Sequence, residues 1–162
     1  MEKEAFFAQA KELIECCDWY YLTTFNSKLN TPETRAMANM RSVELYPENL
    51  KMFNDDDLSN YIVTSLSSGK VQQMKDSQPI SIYYFCPKIM KSITLFGTAE
   101  LIFDREFKNK LWQDEWKMYF ELGSEDPDYA VLKFIPTKAR YATGMKNQEI
   151  IELDSLKEEI RN

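Results

Sequence analysis

Apolar positions along the chain repeat with two different spacings, and these spacings predict its helices and strands. A spacing of three and four residues over 4–17 predicts an amphipathic helix. Helical patterns return at 68–76 and 105–122, and a short exposed helix is predicted at 154–162. Stretches that alternate, or that are rich in β-branched and aromatic residues, predict strands at 19–25, 34–45, 61–65, 79–86, 91–103, 129–135 and 138–143.

The order of these elements predicts the fold class. One helix is followed by mostly short strands, with two further helices between them. Short consecutive strands favour an antiparallel sheet closed into a barrel, and the lack of regular strand–helix alternation argues against a doubly wound fold. We therefore expect a mostly β protein with flanking helices (α+β). The 162 residues, 44% of them hydrophobic, are enough for one domain, residues 1–162.

Charge and residue usage exclude several classes of function. The 20 basic and 26 acidic residues give a net charge of −6, which argues against a surface for duplex nucleic acid. No apolar run approaches the roughly 20 residues of a membrane helix, and the N-terminus lacks a signal-peptide pattern, so we expect a cytoplasmic protein without a membrane partner. The absence of histidine removes Ser-His-Asp and Cys-His catalysis and histidine metal sites. The three cysteines are expected to be small buried residues, and no metal site is predicted.

One stretch, 61-YIVTSLSSGKVQQM-74, has the residue types that bind an anion. A strand ends in Thr64 and Ser65, and a helix begins after Ser68, Gly69 and Lys70. Backbone N–H groups and hydroxyls at a helix start can donate to a phosphate, a glycine allows close approach, and a lysine adds charge. The alternative is an ordinary serine cap in a turn, with Ser68 capping the helix.

A second cation precedes this stretch on a predicted strand. In 34-TRAMANMRSVEL-45, Arg35 alternates with Met37, Asn39 and Arg41 on a polar face. An arginine that faces a barrel is costly unless it meets an anion, so Arg35 is a candidate phosphate ligand. A salt bridge to one of the acidic residues is the alternative.

Two further patterns concern packing. The small residues Gly97 and Ala99 in the predicted strand 91–103 indicate that another backbone approaches closely. Asp104 is expected to cap the helix 105–122. Its aromatic stripe is interpreted as core packing rather than as a ligand platform, and its members are Trp112, Trp116, Tyr119 and Phe120.

Four motifs in order resemble the pyridoxamine 5′-phosphate-oxidase-like family of FMN-binding split barrels. They are 35-RAM-37, 62-IVTSLSSGKVQQMKDSQPISIYYFCP-87, 97-GTAE-100, and the pair 111-LWQDEW-116 with 125-EDPDYAVLKFIPTKARY-141. The last pair is similar to the general-stress-protein branch. The resemblance covers about residues 5–143 and leaves 144–162 as a C-terminal extension. It implies a split β-barrel homodimer with FMN in two symmetric clefts between the subunits.

The resemblance also implies roles for individual residues. Arg35 and Lys70 would hold the FMN phosphate, with Ser68 donating beside them. Ser92 would reach the flavin from the partner subunit.

The ring contacts are likewise implied only by the resemblance. The backbone of Ala36 and Met37 would follow the isoalloxazine ring. Thr64 and Ser65 would hydrogen-bond the ring edge or the ribityl chain.

The implied function is that of an FMN-dependent oxidoreductase with an unknown substrate, and no catalytic residue is identified. Two departures argue against a true pyridoxamine-phosphate oxidase: Met40 stands where the oxidase has a lysine, and Ser92 where it has a glutamine. A third departure is from the stress-protein branch, which often has a tryptophan where Ala142 stands. The alternative is a non-catalytic split-barrel dimer that binds FMN or another anion and has lost oxidase activity.

Overall fold

The computed structural model describes residues 3–54, 57–75, 79–145 and 150–153. Three helices and seven strands occur in these ranges, with single 3-10 turns at Pro47–Met52, Asp114–Met118 and Gly123–Glu125. The helices are α1 (Lys3–Glu15), α2 (Gly69–Lys75) and α3 (Arg105–Leu111). The strands are β1 (Trp19–Asn26), β2 (Thr31–Ala38), β3 (Asn60–Ser65), β4 (Ile80–Cys86), β5 (Lys91–Leu101), β6 (Tyr129–Thr143) and β7 (Ile150–Glu152).

The strands form one antiparallel sheet that curls into a split half-barrel, which confirms the predicted fold class. The order is β2-β1-β4-β5-β6-β3, and β7 also pairs with β6. Strand β3 pairs with the first part of β6, where Ile62 lies opposite Leu132, and β7 pairs with the later part, where Ile151 lies opposite Ala139. The long strand β6 therefore pairs with β5 along one edge and with both β3 and β7 along the other.

Strand β6 contains a bulge where it pairs with β5. The register shifts between Phe96 and Gly97, and a Cβ at Gly97 would clash with the carbonyl oxygen of Ile135. This close approach is the one predicted for Gly97. The prediction of two separate strands, 129–135 and 138–143, is wrong. The chain passes through Pro136 without a break because the extra residue of the bulge, Thr137, follows it directly. A residue without an N–H is tolerated where a bulge interrupts the hydrogen-bond ladder.

The predicted strand 34–45 also differs, because β2 ends at Ala38. The Asn39 side chain donates to the carbonyl oxygens of Ile14 (2.8 Å) and Cys17 (2.6 Å) at the end of α1. These hydrogen bonds end the strand and direct the chain towards the end of α1. Arg41 therefore does not lie on the same strand face as Arg35. Arg41 is instead fully buried.

The predicted helix 105–122 is shorter than expected. Asp104 caps α3 by accepting from Phe107 N at 3.2 Å, as predicted, but the helix ends at Leu111. Trp112 is extended, with φ −57° and ψ 139°, and its ring stands edge-on to those of Trp116 and Tyr129. We attribute the break to this packing, which a continuous helix would not allow.

Two hydrophobic cores hold the sheet. The first lies between α1, α2 and the inner sheet face, and it includes Leu13, Ile82 and Leu95 together with the predicted inward residues Val71 and Met74. Burial of this many apolar side chains is the main stabilising contribution, at about 1.5–3 kcal/mol each.

The second core is mainly aromatic and lies where the segment after α3 meets β3 and β6. Its fully or nearly buried members include Tyr61, Trp116, Phe120 and Tyr129. The predicted packing role of the aromatic stripe is therefore confirmed for Trp116 and Phe120, whereas Tyr119 is 70% exposed.

The three cysteines are free thiols, and two of them, Cys17 and Cys86, are buried. Burial raises the pKa of Cys17 to about 11, so this thiol is protonated at neutral pH. Within the described ranges, no helix is long and apolar enough to cross a membrane. Asp55, Asp56 and the predicted helix 154–162 lie outside the described residues.

Candidate anion-binding site and adjoining cavity

Arg35 belongs to a hydrogen-bonded polar cluster at the edge of the sheet. Pairing of β2 with β1 brings its guanidinium to Thr24, to which it donates at 2.6 Å, and it also donates to the backbone oxygen of Glu33 at 3.0 Å. The Glu33 carboxylate lies 3.3 Å from Arg35 Nη2. Gln73 of α2 donates to the same carboxylate at 2.8 Å and accepts from Thr24. The salt bridge that was considered as the alternative role of Arg35 is therefore present. The Arg35 side chain is nevertheless only partly buried.

Lys70 belongs to the same region and has no such carboxylate. Its ammonium donates to Thr64 Oγ1 at 3.0 Å, and no ion pair to Lys70 occurs among the described residues. The pKa of Lys70 is lowered, first by burial and second by the positive charge of Arg35. Two cations thus lie close enough to repel one another, and Arg35 alone has an acidic neighbour. An anion placed between them would relieve this repulsion.

The turn before α2 leaves a hydroxyl and some space beside these cations. Ser68 Oγ is buried and has no hydrogen-bond partner in the described part of the chain, so the prediction that its side chain caps the helix is wrong. Only its carbonyl oxygen contributes, by accepting from Val71 N at 3.1 Å. A Cβ at Gly69 would meet no atom within 4 Å. A buried unpaired hydroxyl is costly, and a ligand oxygen would satisfy it.

Asp128 shapes the turn that joins β3 to α2. Its carboxylate accepts from Ser67 N at 2.8 Å and from Ser67 Oγ at 3.2 Å, and its backbone oxygen accepts from Leu66 N at 2.7 Å. These hydrogen bonds hold the pKa of Asp128 below its usual value. They fix the positions of Thr64 and Ser65, the last two residues of β3.

The remaining predicted ligands lie on strands around the cluster. Ala36 and Met37 are on β2, which is an outer strand of the sheet and pairs only with β1. Ala36 is exposed, whereas Met37 packs partly against the first core. Ser92 lies near the start of β5, opposite Phe85 and Ala142, and within the described part of one chain it forms no hydrogen bond with the Arg35–Lys70 cluster. The structure thus links Arg35, Thr64 and Lys70, with Ser68 on the turn two residues before Lys70, and it does not bring Ser92 to this group.

Sequence reasoning missed four polar residues of this region. Thr24, Glu33 and Gln73 come from three separate elements and meet beside Arg35, whereas Asp128 meets the turn before α2. The alternation of β1 gave a weak signal, because Thr24 follows Tyr20 and Leu22 on the buried face of the strand. A hydroxyl at such a position needs a partner.

An aromatic cavity of about 430 Å³ adjoins the end of β3. Thr64 and Ser65 form one wall and the segment after α3 forms another. Trp116 and Phe120 therefore serve both the second core and the cavity. The full lining is Trp19, Ala38, Met40, Tyr46, Val63, Thr64, Ser65, Glu115, Trp116, Met118, Tyr119 and Phe120.

Comparison with known proteins identifies the family. A sequence model described as "Pyridoxamine 5'-phosphate oxidase like" matches residues 20–162, so the chain belongs to this family, as the motifs indicated. A search of curated proteins gave no match.

Solved structures share the fold. A protein related to general stress protein 26 of B. subtilis, from Clostridium acetobutylicum, is 24% identical with a TM-score of 0.73; the match covers 94% of this chain and 98% of that one. General stress protein 26 from Bacillus anthracis is 19% identical with a TM-score of 0.68, covering 91% and 98%. A heme binding protein from Mycobacterium smegmatis is 13% identical with a TM-score of 0.65, covering 93% and 59%.

Proposed function

We propose that this chain is an FMN-binding oxidoreductase, with an unidentified substrate, that works as a homodimer. The observation that carries the proposal is a pair of cations, Arg35 and Lys70, that act on one another, together with the buried, unpartnered hydroxyl of Ser68 two residues before Lys70. A phosphate dianion would accept charge-assisted hydrogen bonds from both cations and a neutral one from Ser68. Gly69 leaves room for a phosphate oxygen at the start of α2.

The rest of the flavin would follow the polar end of β3 and the outer edge of β2. Thr64 and Ser65 would donate to the ring edge or ribityl chain, and the backbone of Ala36 and Met37 would lie along the ring. When bound, FMN supplies hydride and electron transfer. The residues of the chain would bind, orient and partly enclose it.

The outer face of the sheet supports the homodimer. Tyr21 lies opposite Tyr83, and Phe85 lies opposite Ser92; the three aromatic side chains are between 38% and 47% exposed. Exposed aromatic residues concentrated on one sheet face are typical of a protein–protein interface. A second copy packed on this face would cover Ser92, the residue assigned to the partner's flavin.

One observation favours the second candidate, a non-catalytic binder. The Glu33 carboxylate already pairs with Arg35 at 3.3 Å, and a bound phosphate must compete with it. A weak anion site without oxidase activity would have this feature. Reduction of the bound flavin distinguishes the two candidates.

The proposal is tested by the visible absorption spectrum of the purified protein, before and after addition of FMN and removal of the excess. Flavin bands at about one FMN per chain, with a dimeric mass by analytical ultracentrifugation, support it. Anaerobic bleaching by NADH or NADPH and recovery with an acceptor support the oxidoreductase, and retained but unreduced FMN supports the binder. A protein that retains no added FMN, or that shows a haem Soret band instead, contradicts the proposal.

A further inference from the structure

The aromatic cavity beside β3 has a different chemistry from the cation cluster. Its walls include the rings of Trp19, Tyr46, Trp116 and Tyr119, and no lysine or arginine is among the lining residues that the structure describes. Among these residues Glu115 is the one charged side chain. Such a surface attracts flat apolar groups through stacking and attracts positive charge, while it repels anions.

The size of the cavity limits its ligand. At about 430 Å³ it is at the smaller end of the range for small-molecule sites, which suits a compound of two or three fused rings. Met40 adds a buried thioether, a flexible group that adapts to aromatic ligands. The hydroxyls of Thr64 and Ser65 supply polar contacts on the side of the cation cluster.

The cavity shares its wall with the proposed flavin site. Thr64 contacts Lys70 and lines the cavity, and Ala38 extends the edge strand that carries Ala36 and Met37. A compound held in the cavity would therefore lie against the flavin ring, with the end of β3 bordering both. A substrate must reach such a position to exchange electrons with the ring.

We infer that this cavity is the substrate site and that it takes flat aromatic compounds that are neutral or positively charged, not phosphorylated or carboxylated ones. That the ligand is a substrate rests on the proposed function, whereas the chemical class of the ligand rests on the cavity alone. Glu115 sets the charge preference, and Trp116 and Tyr119 bind the ring.

The test uses three probes that share one ring: 1-naphthylmethylammonium, 1-naphthalenemethanol and 1-naphthoate. Their affinities are measured by isothermal titration calorimetry with the full-length protein, FMN-free and FMN-loaded. The cation is expected to bind about tenfold or more tightly than the carboxylate, with the alcohol between them, as for a charge near one carboxylate.

Two variants identify the residues responsible. Glu115→Gln keeps the shape of the side chain and should reduce the preference for the cation over the alcohol severalfold. Glu121→Gln is the matched control, because Glu121 is exposed and is not a lining residue. Tyr119→Ala, at a residue that is 70% exposed and so tolerates replacement, should weaken all three probes about fivefold.

Several results would overturn the inference. The first is that no probe binds, as would happen if a second copy filled the cavity. The second is that 1-naphthoate binds most tightly. The third is that Glu115→Gln prefers the cation over the alcohol as strongly as the wild-type protein does. Displacement of the probes by FMN would mean that the cavity holds the flavin ring itself, which also overturns it. Probe binding in the expected order to a protein that retains no FMN supports the ligand class and contradicts the proposed function, so the two failures are distinguishable.

Discussion

Two arginines six positions apart, Arg35 and Arg41, have opposite surroundings. Arg41 is fully buried, donates to the carbonyl oxygens of Asp57 and Ser59, and lies 3.3 Å from the Glu15 carboxylate and 4.5 Å over the Phe53 ring. Arg35 is 22% exposed, pairs with one carboxylate, and lies beside Lys70.

This difference shows how a structural cation is distinguished from a binding cation. The guanidinium of Arg41 binds Asp57, Ser59 and Glu15 within the chain, and only its buried Nε lacks a partner among the described residues. Its complete burial keeps it from a ligand. The Arg35 region has excess positive charge and the unpartnered hydroxyl of Ser68. In the sequence both arginines stand on one apparent strand face.

The largest expected effect is on stability. Arg41→Met should lower the free energy of unfolding by about 3–5 kcal/mol, because it leaves Glu15 and two buried carbonyl groups without their partner. Arg35→Met should change it by about 0–1 kcal/mol, as for a partly exposed ion pair. Urea unfolding followed by tryptophan fluorescence measures both. Equal losses in the two variants would remove the distinction between the arginines.

The second effect is on ligand affinity. Arg35→Ala should weaken FMN binding by about 1–3 kcal/mol, the contribution of a charge-assisted hydrogen bond. Fluorescence titration of FMN measures the change. Arg105→Ala is the control, because Arg105 is 78% exposed and pairs with Glu125 far from the cluster in sequence. An FMN affinity that is the same in both variants would contradict the role of Arg35.

A smaller effect concerns pH. The pKa of Lys70 is lowered by burial and by Arg35, so its positive charge is lost at a lower pH than for an ordinary lysine. FMN affinity should therefore fall severalfold as pH rises from about 8 towards 10. Lys70→Arg stays charged and should show a weaker decline. Identical pH profiles would show that Lys70 does not titrate in the binding step.

The smallest effect comes from the carboxylate that competes with the phosphate. Glu33→Gln keeps an acceptor for Gln73 but removes the negative charge beside Arg35. FMN should bind about threefold more tightly, since the cost of breaking a partly exposed ion pair is of that order. Equilibrium dialysis against FMN measures the change. A weaker affinity would indicate that Glu33 positions Arg35 for binding.

Sequence patterns predicted the sheet well because each strand has its own alternation. The boundaries of β1, β3, β4 and the start of β5 lie within a residue or two of expectation, and so does α2. The errors arose where a distant contact decides the backbone. Asn39 ends β2 through α1, and Trp112 ends α3 through Tyr129. Neither contact leaves a signal in the local pattern.

For the candidate site, too, the local residues were predictable from the sequence and the contacts between distant elements were not. The spacing of Thr64, Ser68 and Lys70 follows from one local turn, so a single stretch of sequence contains it. The partners Glu33 and Gln73 and the cavity depend on which strands and helices meet. Met40, which stood out only as a departure from the oxidase pattern, lies buried in the wall of that cavity.

The central claim is that Lys70 and Arg35 hold a phosphate group, and the preference of the protein for FMN over riboflavin tests it most directly. The two ligands differ by the phosphate alone. Wild-type protein should bind FMN about a hundredfold or more tightly, since two charged donors are each worth about 1.5–3 kcal/mol.

Lys70→Met should reduce this preference about tenfold or more and leave riboflavin affinity unchanged. Lys51→Met, at an exposed lysine paired with Glu48, should alter neither affinity. Equal affinity of the wild-type protein for FMN and riboflavin, or an equal loss of both in Lys70→Met, would contradict the account.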